Sequence, residues 1–318
     1  MKFQKAIIQM NSNTNIPFYN DLDFMIDNCE GLILDIWGVL WDGIEVYPEA
    51  LKTLQNLKKK NIPIILLSNA PRKSKIVAKK LENIGIQPNL YDKIISSGDV
   101  CRNELITNKN LVIGTKYYFI GLKEDNDLLE NTKFKETISP QNADFVLITG
   151  PRNFNDNLEL YFSELKECLD NQLTMICANP DKIVVRQTGK KIICAGAIAE
   201  VYKNLGGNIV QFGKPYKNVF NKALSHLKKL SPSINLANIS IVGDGLETDI
   251  LGGNSVNINT ILITSGILSH TLNVKYGEKL NVHFSNDAIE NFDYIIVSDG
   301  VFSNSKSIIA EKHIAPKF

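Results

Sequence analysis

The chain has 318 residues, 44% of them apolar, so at roughly 150 residues per domain it holds about two domains with enough apolar mass for a core in each. Its 35 basic and 34 acidic residues leave a formal charge of +1, which excludes a global field that would draw in nucleic acid or an anionic membrane; an anion must be held by a local site. No apolar run approaches the ~18 residues of a membrane span, and residues Met1 to Tyr19 offer only the short apolar group Ala6-Ile7-Ile8 behind Lys2 and Lys5, not a secretory leader. The five cysteines are scattered without a C-x-x-C pair and the four histidines lack zinc-ligand spacing, so a cytoplasmic protein without disulfides or zinc is expected.

In chain order, short apolar runs alternate with amphipathic stretches, the pattern of parallel strands joined by helical crossovers. Gly31-Leu32-Ile33-Leu34 is a buried strand ending in Asp35. Pro48-Glu49-Ala50 opens a helix carrying Leu51, Leu54 and Leu57, and Ile62 to Leu67 forms a strand that ends at Ser68-Asn69. A basic amphipathic helix follows from Arg72 to Asn83, its lysines read as a solvated face. A smaller alternation comes next, with strands at Leu111-Val112-Ile113, Tyr117 to Ile120, Phe145 to Ile148 and Thr174 to Cys177, and a helix from Leu158 to Leu169. The last part returns to the first style, with Ile239 to Val242 ending at Gly243-Asp244, then Thr260 to Ile263 and Tyr294 to Val297. The parse is an α/β fold: a doubly wound, Rossmann-like parallel sheet in residues 1–97 and 206–318, interrupted by a smaller inserted α/β domain in 98–205, with hinges near Ser97-Gly98 and Leu205-Gly206.

Three strand ends carry polar groups: Asp35, Ser68-Asn69, and Asp244 with Asp249 close behind. Ligands of open α/β sheets bind outside the carboxyl ends of the strands, so these groups could converge on one crevice. Carboxylates from two strands facing one crevice need a cation between them, and hard oxygen ligands suit Mg²⁺, which in turn favours a phosphate-bearing substrate. Ser68, backbone amides at the following helix start and Lys214 in Phe212-Gly213-Lys214-Pro215 could hold that phosphate. Taken singly, each feature has a plainer reading: a strand-end Asp or Ser-Asn as a cap, Gly-Lys-Pro as a loop with an exposed lysine.

Their order is more telling. Asp35-Ile36-Trp37-Gly38-Val39-Leu40, Leu67-Ser68-Asn69, Gly213-Lys214-Pro215 and Gly243-Asp244-Gly245-Leu246-Glu247-Thr248-Asp249 resemble, in sequence, the four motifs of the haloacid dehalogenase superfamily. The insertion resembles the large α/β cap of the subfamily that includes 4-nitrophenyl phosphatases and the nucleotide and sugar phosphatases related to N-acetylglucosamine metabolism. Ala178-Asn179-Pro180-Asp181 is similar to the substrate loop of that cap, and Cys194-Ala195-Gly196-Ala197 to its return segment.

The resemblance implies a Mg²⁺-dependent hydrolase of a small phosphorylated metabolite, compatible with a homodimer and without nucleic-acid or membrane partners. Asp35 would be the nucleophile that forms an aspartyl-phosphate. Ser68 would bind the phosphoryl group and Lys214 balance its charge. Mg²⁺ would be held by Asp35, Asp244, Asp249 and the backbone carbonyl of Trp37, and Asn69, Asn179 and Asp181 would contact substrate. Trp37 is a departure, because phosphatases of the superfamily carry an Asp there as general acid/base. Its loss typically costs 10²- to 10⁴-fold, implying either a slow phosphatase or a catalytically impaired phosphate-binding protein. Asp42, at 42 − 35 = 7 positions beyond the nucleophile, and Glu45 are candidate substitutes, with solvated loop residues as the favoured reading. Trp37 stacks on substrate or, more in keeping with tryptophan, packs. Arg72 reaches a substrate anion or is solvated.

Overall fold

The computed structural model describes residues 8–10, 18–19, 29–185, 190–268, 280–284, 289–292 and 294–297. Of the segment Met1 to Tyr19, residues 1–7 and 11–17 lie outside the described residues, as do His270 and His313. The strands are β1 (Ile8–Met10), β2 (Phe18–Tyr19), β3 (Gly31–Leu34), β4 (Ile64–Ser68), β5 (Lys93–Ser96), β6 (Lys116–Ile120), β7 (Lys135–Thr137), β8 (Phe145–Ile148), β9 (Thr174–Cys177), β10 (Ile183–Val185), β11 (Lys191–Ile193), β12 (Ile209–Gln211), β13 (Ile239–Gly243), β14 (Asn259–Ile263), β15 (Leu280–Phe284), β16 (Ile289–Phe292) and β17 (Tyr294–Val297). The helices are α1 (Pro48–Lys59), α2 (Ser74–Asn83), α3 (Ser97–Thr107), α4 (Phe162–Asp170), α5 (Ala195–Asn204), α6 (Lys217–Leu230) and the short α7 (Leu251–Ser255).

Two compact units result, one from residues 1–66, 84–93 and 220–318, the other from 67–83 and 94–219. The segment 98–205, expected as a separate layer, falls wholly within the second unit, which extends beyond it on both sides.

The larger sheet runs β2-β17-β14-β13-β3-β4-β5. Strands β14, β13, β3 and β4 are parallel, with Leu34 opposite Val242 on one side and Leu66 on the other, while β17 joins β14 antiparallel. All four residues of β3 and all five of β13 are buried; β3 accordingly reads as an unbroken apolar run, and β13 as one interrupted only by the buried Ser240. Helix α1 begins at Pro48 with Glu49 in its first turn and ends in Lys58 and Lys59, each charge placed to suit the helix dipole. Asn61, at φ 56°, closes it in the left-handed region.

In the second unit β12, β9, β8, β6 and β7 form a wholly parallel five-stranded sheet. Its core packs Tyr161, Leu165 and Cys168 with Ile198, Ala199 and Tyr202, and the Tyr202 hydroxyl donates to the Leu173 carbonyl at 2.6 Å. The register sets Gln211 and Ile148 beside Cys177, so the loops after β8, β9 and β12 leave the same end of the sheet.

Several expectations need correction. Leu111-Val112-Ile113 forms bends instead of a strand, and Ile113 is 91% exposed; Gly114 directly after it turns the chain at φ +85°. The helix expected from Leu158 starts as a 3₁₀ turn, Leu158–Tyr161, capped by the Asn157 side chain on Leu160 N–H, before α4 begins. Apart from these corrections, Ser97 and Gly98, near which a hinge is expected, stand in the first turn of α3, with the Ser97 hydroxyl and Gly98 N–H both donating to the Ala70 carbonyl.

Ile33, fully buried in β3, and Ile113 contrast one residue type in two environments. Ile33→Ala is expected to lower stability by about 2–5 kcal/mol, and Ile113→Ala by less than about 0.5 kcal/mol. Urea denaturation of both variants checks this; equal losses would overturn the assignment of the core.

Candidate active site

Adjacent parallel strands β3 and β13 lie where the strand order of the larger sheet reverses, and the next residues along them are Asp35 and Asp244. The Asp35 N–H donates to the Val242 carbonyl at 2.9 Å, so the ladder itself fixes the start of the loop. A single π turn, Leu246–Ile250, then swings Asp249 back toward Gly245, whose carbonyl accepts from both Asp249 and Ile250 N–H; such turns recur at functional sites. Asp35, Asp244 and Asp249 are all buried, and one carboxylate oxygen of each lies within 4.8 Å of the others.

Backbone packing makes this proximity feasible. Gly38 adopts φ +80°, and a β-carbon there would come within 1.9 Å of Asp244 Oδ2, so only glycine lets the chain pass this close. Asp244 Oδ2 also accepts from Ile267 N–H at 2.7 Å. Asp249 Oδ2 accepts from Gly245 N–H at 3.2 Å and the Thr248 hydroxyl at 3.1 Å. Three carboxylates with these anchors and hard oxygen donors suit a divalent cation.

Trp37 is half-buried, and its ring meets Trp41 edge-on, 5.2 Å between centroids at 71°. Asp42, favoured from sequence as a solvated residue, is instead 5% exposed, because its Oδ1 turns inward to accept Ile44 and Glu45 N–H, both at 2.7 Å. Glu45 is exposed as expected.

In the second unit, Ser68 ends β4 and its hydroxyl accepts Ala70 N–H at 3.2 Å. Asn69 is the hub of a buried network. Its Nδ2 donates to Asp181 Oδ1 at 2.7 Å and to the Lys214 carbonyl at 3.2 Å, while its Oδ1 accepts Lys214 N–H at 2.7 Å. Asn179 Oδ1 accepts Asp181 N–H at 3.0 Å. Gly213, at φ +130°, gives Asn69 the room it needs, since a β-carbon would lie 2.5 Å from Asn69 Oδ1. Lys214 is 3% exposed. Thus Asn69, Asn179, Asp181 and Lys214 are brought together, with the Asn69 amide spent on protein partners.

Arg72, ambiguous in sequence, pairs with the buried Asp125, whose carboxyl burial pushes above the usual range against the pull of the guanidinium. Lys73 is buried as well, against the solvated face expected, and pairs with Asp127 at 2.9 Å and Glu130 at 3.4 Å. Sequence gave no signal for these pairs, which link residues more than fifty positions apart. Burial pushes the Cys177 thiol up to about 12, so it is no thiolate nucleophile at neutral pH.

A family model described as haloacid dehalogenase-like hydrolase matches residues 32–135, and a second, HAD-hydrolase-like model matches 211–286, between them covering Asp35, Ser68, Lys214 and all of the acidic cluster. The chain belongs to the haloacid dehalogenase-like hydrolases. It is 28% identical over 244 residues to the ribonucleotide monophosphatase NagD of Escherichia coli K12, covering 76% of this chain and 89% of the relative. It is 23% identical to the 5'-nucleotidase YutF of Bacillus subtilis over 75% of this chain and 88% of the relative. Among solved structures, a haloacid dehalogenase-like hydrolase from Brucella suis 1330 aligns with TM-score 0.72 and 28% identity, covering 78% of this chain and 93% of the other.

If Gly38 admits the backbone to Asp244 as this haloacid dehalogenase-like geometry requires, Gly38→Ala displaces that carboxylate. Mn²⁺ affinity, read by electron spin resonance, is expected to fall roughly 10- to 100-fold with circular dichroism unchanged. Undiminished Mn²⁺ binding would show that Asp244 is not a ligand.

Proposed function

We propose that this haloacid dehalogenase-like hydrolase is a Mg²⁺-dependent phosphatase of small phosphomonoesters working through an aspartyl-phosphate on Asp35. The observation that carries this reading is the buried cluster of Asp35, Asp244 and Asp249 at the strand-order reversal. Two unit charges 4.8 Å apart repel by about 3.5 kcal/mol at an effective dielectric of about 20, a repulsion that a divalent cation among the three oxygens would offset.

Asp35, Asp244 and Asp249, with the Trp37 carbonyl, are the groups that would hold Mg²⁺, which would neutralise charge on the phosphoryl oxygens. Asp35 attacks phosphorus and becomes phosphorylated, and water then releases phosphate from it. Ser68 and the amides that follow it hold the phosphoryl oxygens, and Lys214 supplies a fixed, desolvated positive charge. The Asn69 amide keeps Lys214 and Asp181 in one network, so Asn179 and Asp181 form the wall against the leaving group. Segment 98–205 serves as the cap that covers the substrate and excludes water.

Relatives named as a nucleotide monophosphatase, a 5'-nucleotidase and an acid sugar phosphatase support a small phosphorylated metabolite as substrate. Among the described residues no helix is long and apolar enough to cross a membrane. The five free cysteines, four of them buried, support a reducing compartment, the cytoplasm.

The test is Mg²⁺-dependent phosphate release across aryl, sugar and nucleoside phosphates, with Asp35→Asn as the blank. Release is expected from the parent and not from Asp35→Asn, and Lys214→Ala should lower kcat about 10²- to 10³-fold. Absence of release from every ester, alongside phosphate-dependent thermal stabilisation, would instead identify a phosphate-binding protein.

A further inference from the structure

A phosphomonoester with an alcohol leaving group needs a proton on the departing oxygen, and the phosphorylated intermediate needs a base to take one from water. Asp35, Asp244 and Asp249 are committed to the cation and the phosphoryl group. In the loop that runs from Asp35 to α1 the side chains able to exchange a proton are Asp42, Glu45 and Tyr47. Glu45 is exposed. The Tyr47 hydroxyl is held protonated well above its ordinary range, first by burial and then by the negative charges of Asp42 and Asp244.

Asp42 is built differently from a surface carboxylate. It is 5% exposed, its Oδ1 is fixed by Ile44 and Glu45 N–H, and its Oδ2 is buried without a hydrogen-bond partner. A buried carboxyl oxygen left unpaired costs free energy unless a ligand completes it. The loop that carries it also packs on Asp244: a β-carbon at Gly38 would come within 1.9 Å of Asp244 Oδ2, Gly38 donates its N–H to the Trp41 carbonyl at 2.8 Å, and Asp42 is the next residue after Trp41. Trp37 braces the same loop, edge-on to Trp41 and against Gly43, where a β-carbon would come within 2.6 Å of its ring.

Resting on the phosphatase reading above, we propose that Asp42 is a catalytic residue of this hydrolase, the proton donor to the leaving oxygen and the base for the water. As Asp35 attacks, the phosphorus–oxygen bond to the leaving group breaks and the Asp42 carboxyl gives its proton to that oxygen, releasing the alcohol. The Asp42 carboxylate then takes a proton from water while the water oxygen attacks phosphorus. The bond to Asp35 breaks, phosphate leaves, and Asp42 is protonated again.

Asp42→Asn keeps an oxygen for the Ile44 and Glu45 N–H groups, so the loop retains its fold, which an unchanged melting temperature verifies. With ethyl phosphate, turnover by Asp42→Asn is expected to fall about 10²- to 10⁴-fold. With 4-nitrophenyl phosphate, whose leaving group departs without a proton, the variant gives a rapid burst of one nitrophenolate per chain and then stalls as a phosphorylated protein, detected by intact mass. Equal activity of parent and variant on both esters, or equal loss on both with no burst, overturns the role of Asp42 and leaves the phosphatase reading standing. A parent that neither hydrolyses the esters nor becomes phosphorylated overturns both.

Discussion

Three carboxylates held within 4.8 Å of one another, all buried, are the constraint to which the first unit is fitted. Their repulsion resists folding, so strong local geometry must hold them in place. Register supplies part of it: β3 and β13 run parallel with Leu34 beside Val242, so Asp35 and Asp244 leave the sheet at nearly the same level. The π turn supplies the third group, because the extra residue in Leu246–Ile250 brings Asp249 to Gly245 N–H. Unbroken burial of β3 and β13 anchors all of this in close-packed apolar side chains, which hold strand ends more rigidly than loops can.

The second unit solves a different electrostatic problem. Lys214 is 3% exposed, and an ammonium is buried at a cost that only fixed partners or a bound anion offset. Asn69 fixes the backbone on which that ammonium stands, gripping both the N–H and the carbonyl of Lys214 while its second amide proton reaches Asp181. One neutral side chain therefore ties together the loops that follow β4, β9 and β12. A carboxylate in its place could accept the Lys214 N–H but could not donate to the carbonyl or to Asp181.

What was legible in the sequence follows the range of the interactions involved. A run such as Gly31 to Leu34, ending at Asp35, announces both a buried strand and the polar group at its end, because burial on both faces removes the alternation, and Ile239 to Val242 before Asp244 does so with only Ser240 interrupting it. The acidic cluster was readable for the same reason. The Leu111 to Ile113 triplet misled because three apolar residues carry no period. The partners of Arg72 and Asn69 lie 53 and 112 positions away, and no local pattern encodes contacts at that distance. The burial of Asp42 was misread because a carboxylate in a turn is ordinarily solvated; the two N–H groups that draw its Oδ1 inward belong to the backbone and leave no mark on residue type.

Trp37 joins these themes. A side chain two positions after Asp35 can present a polar group toward the strand end or brace the loop that follows, and an indole does the second. Its edge-on contact with Trp41, its packing on Gly43 and the bridges linking residues 37, 41 and 46 turn a stretch rich in apolar side chains into a compact loop. Within that loop Asp42 loses most of its water without losing its backbone donors. The strand-end carboxylates are fixed by sheet register and cannot migrate, whereas a carboxyl carried by a loop can be repositioned by changing which side chains brace it. The tryptophan that removes a polar group from one loop position thus helps to bury another group five residues further along.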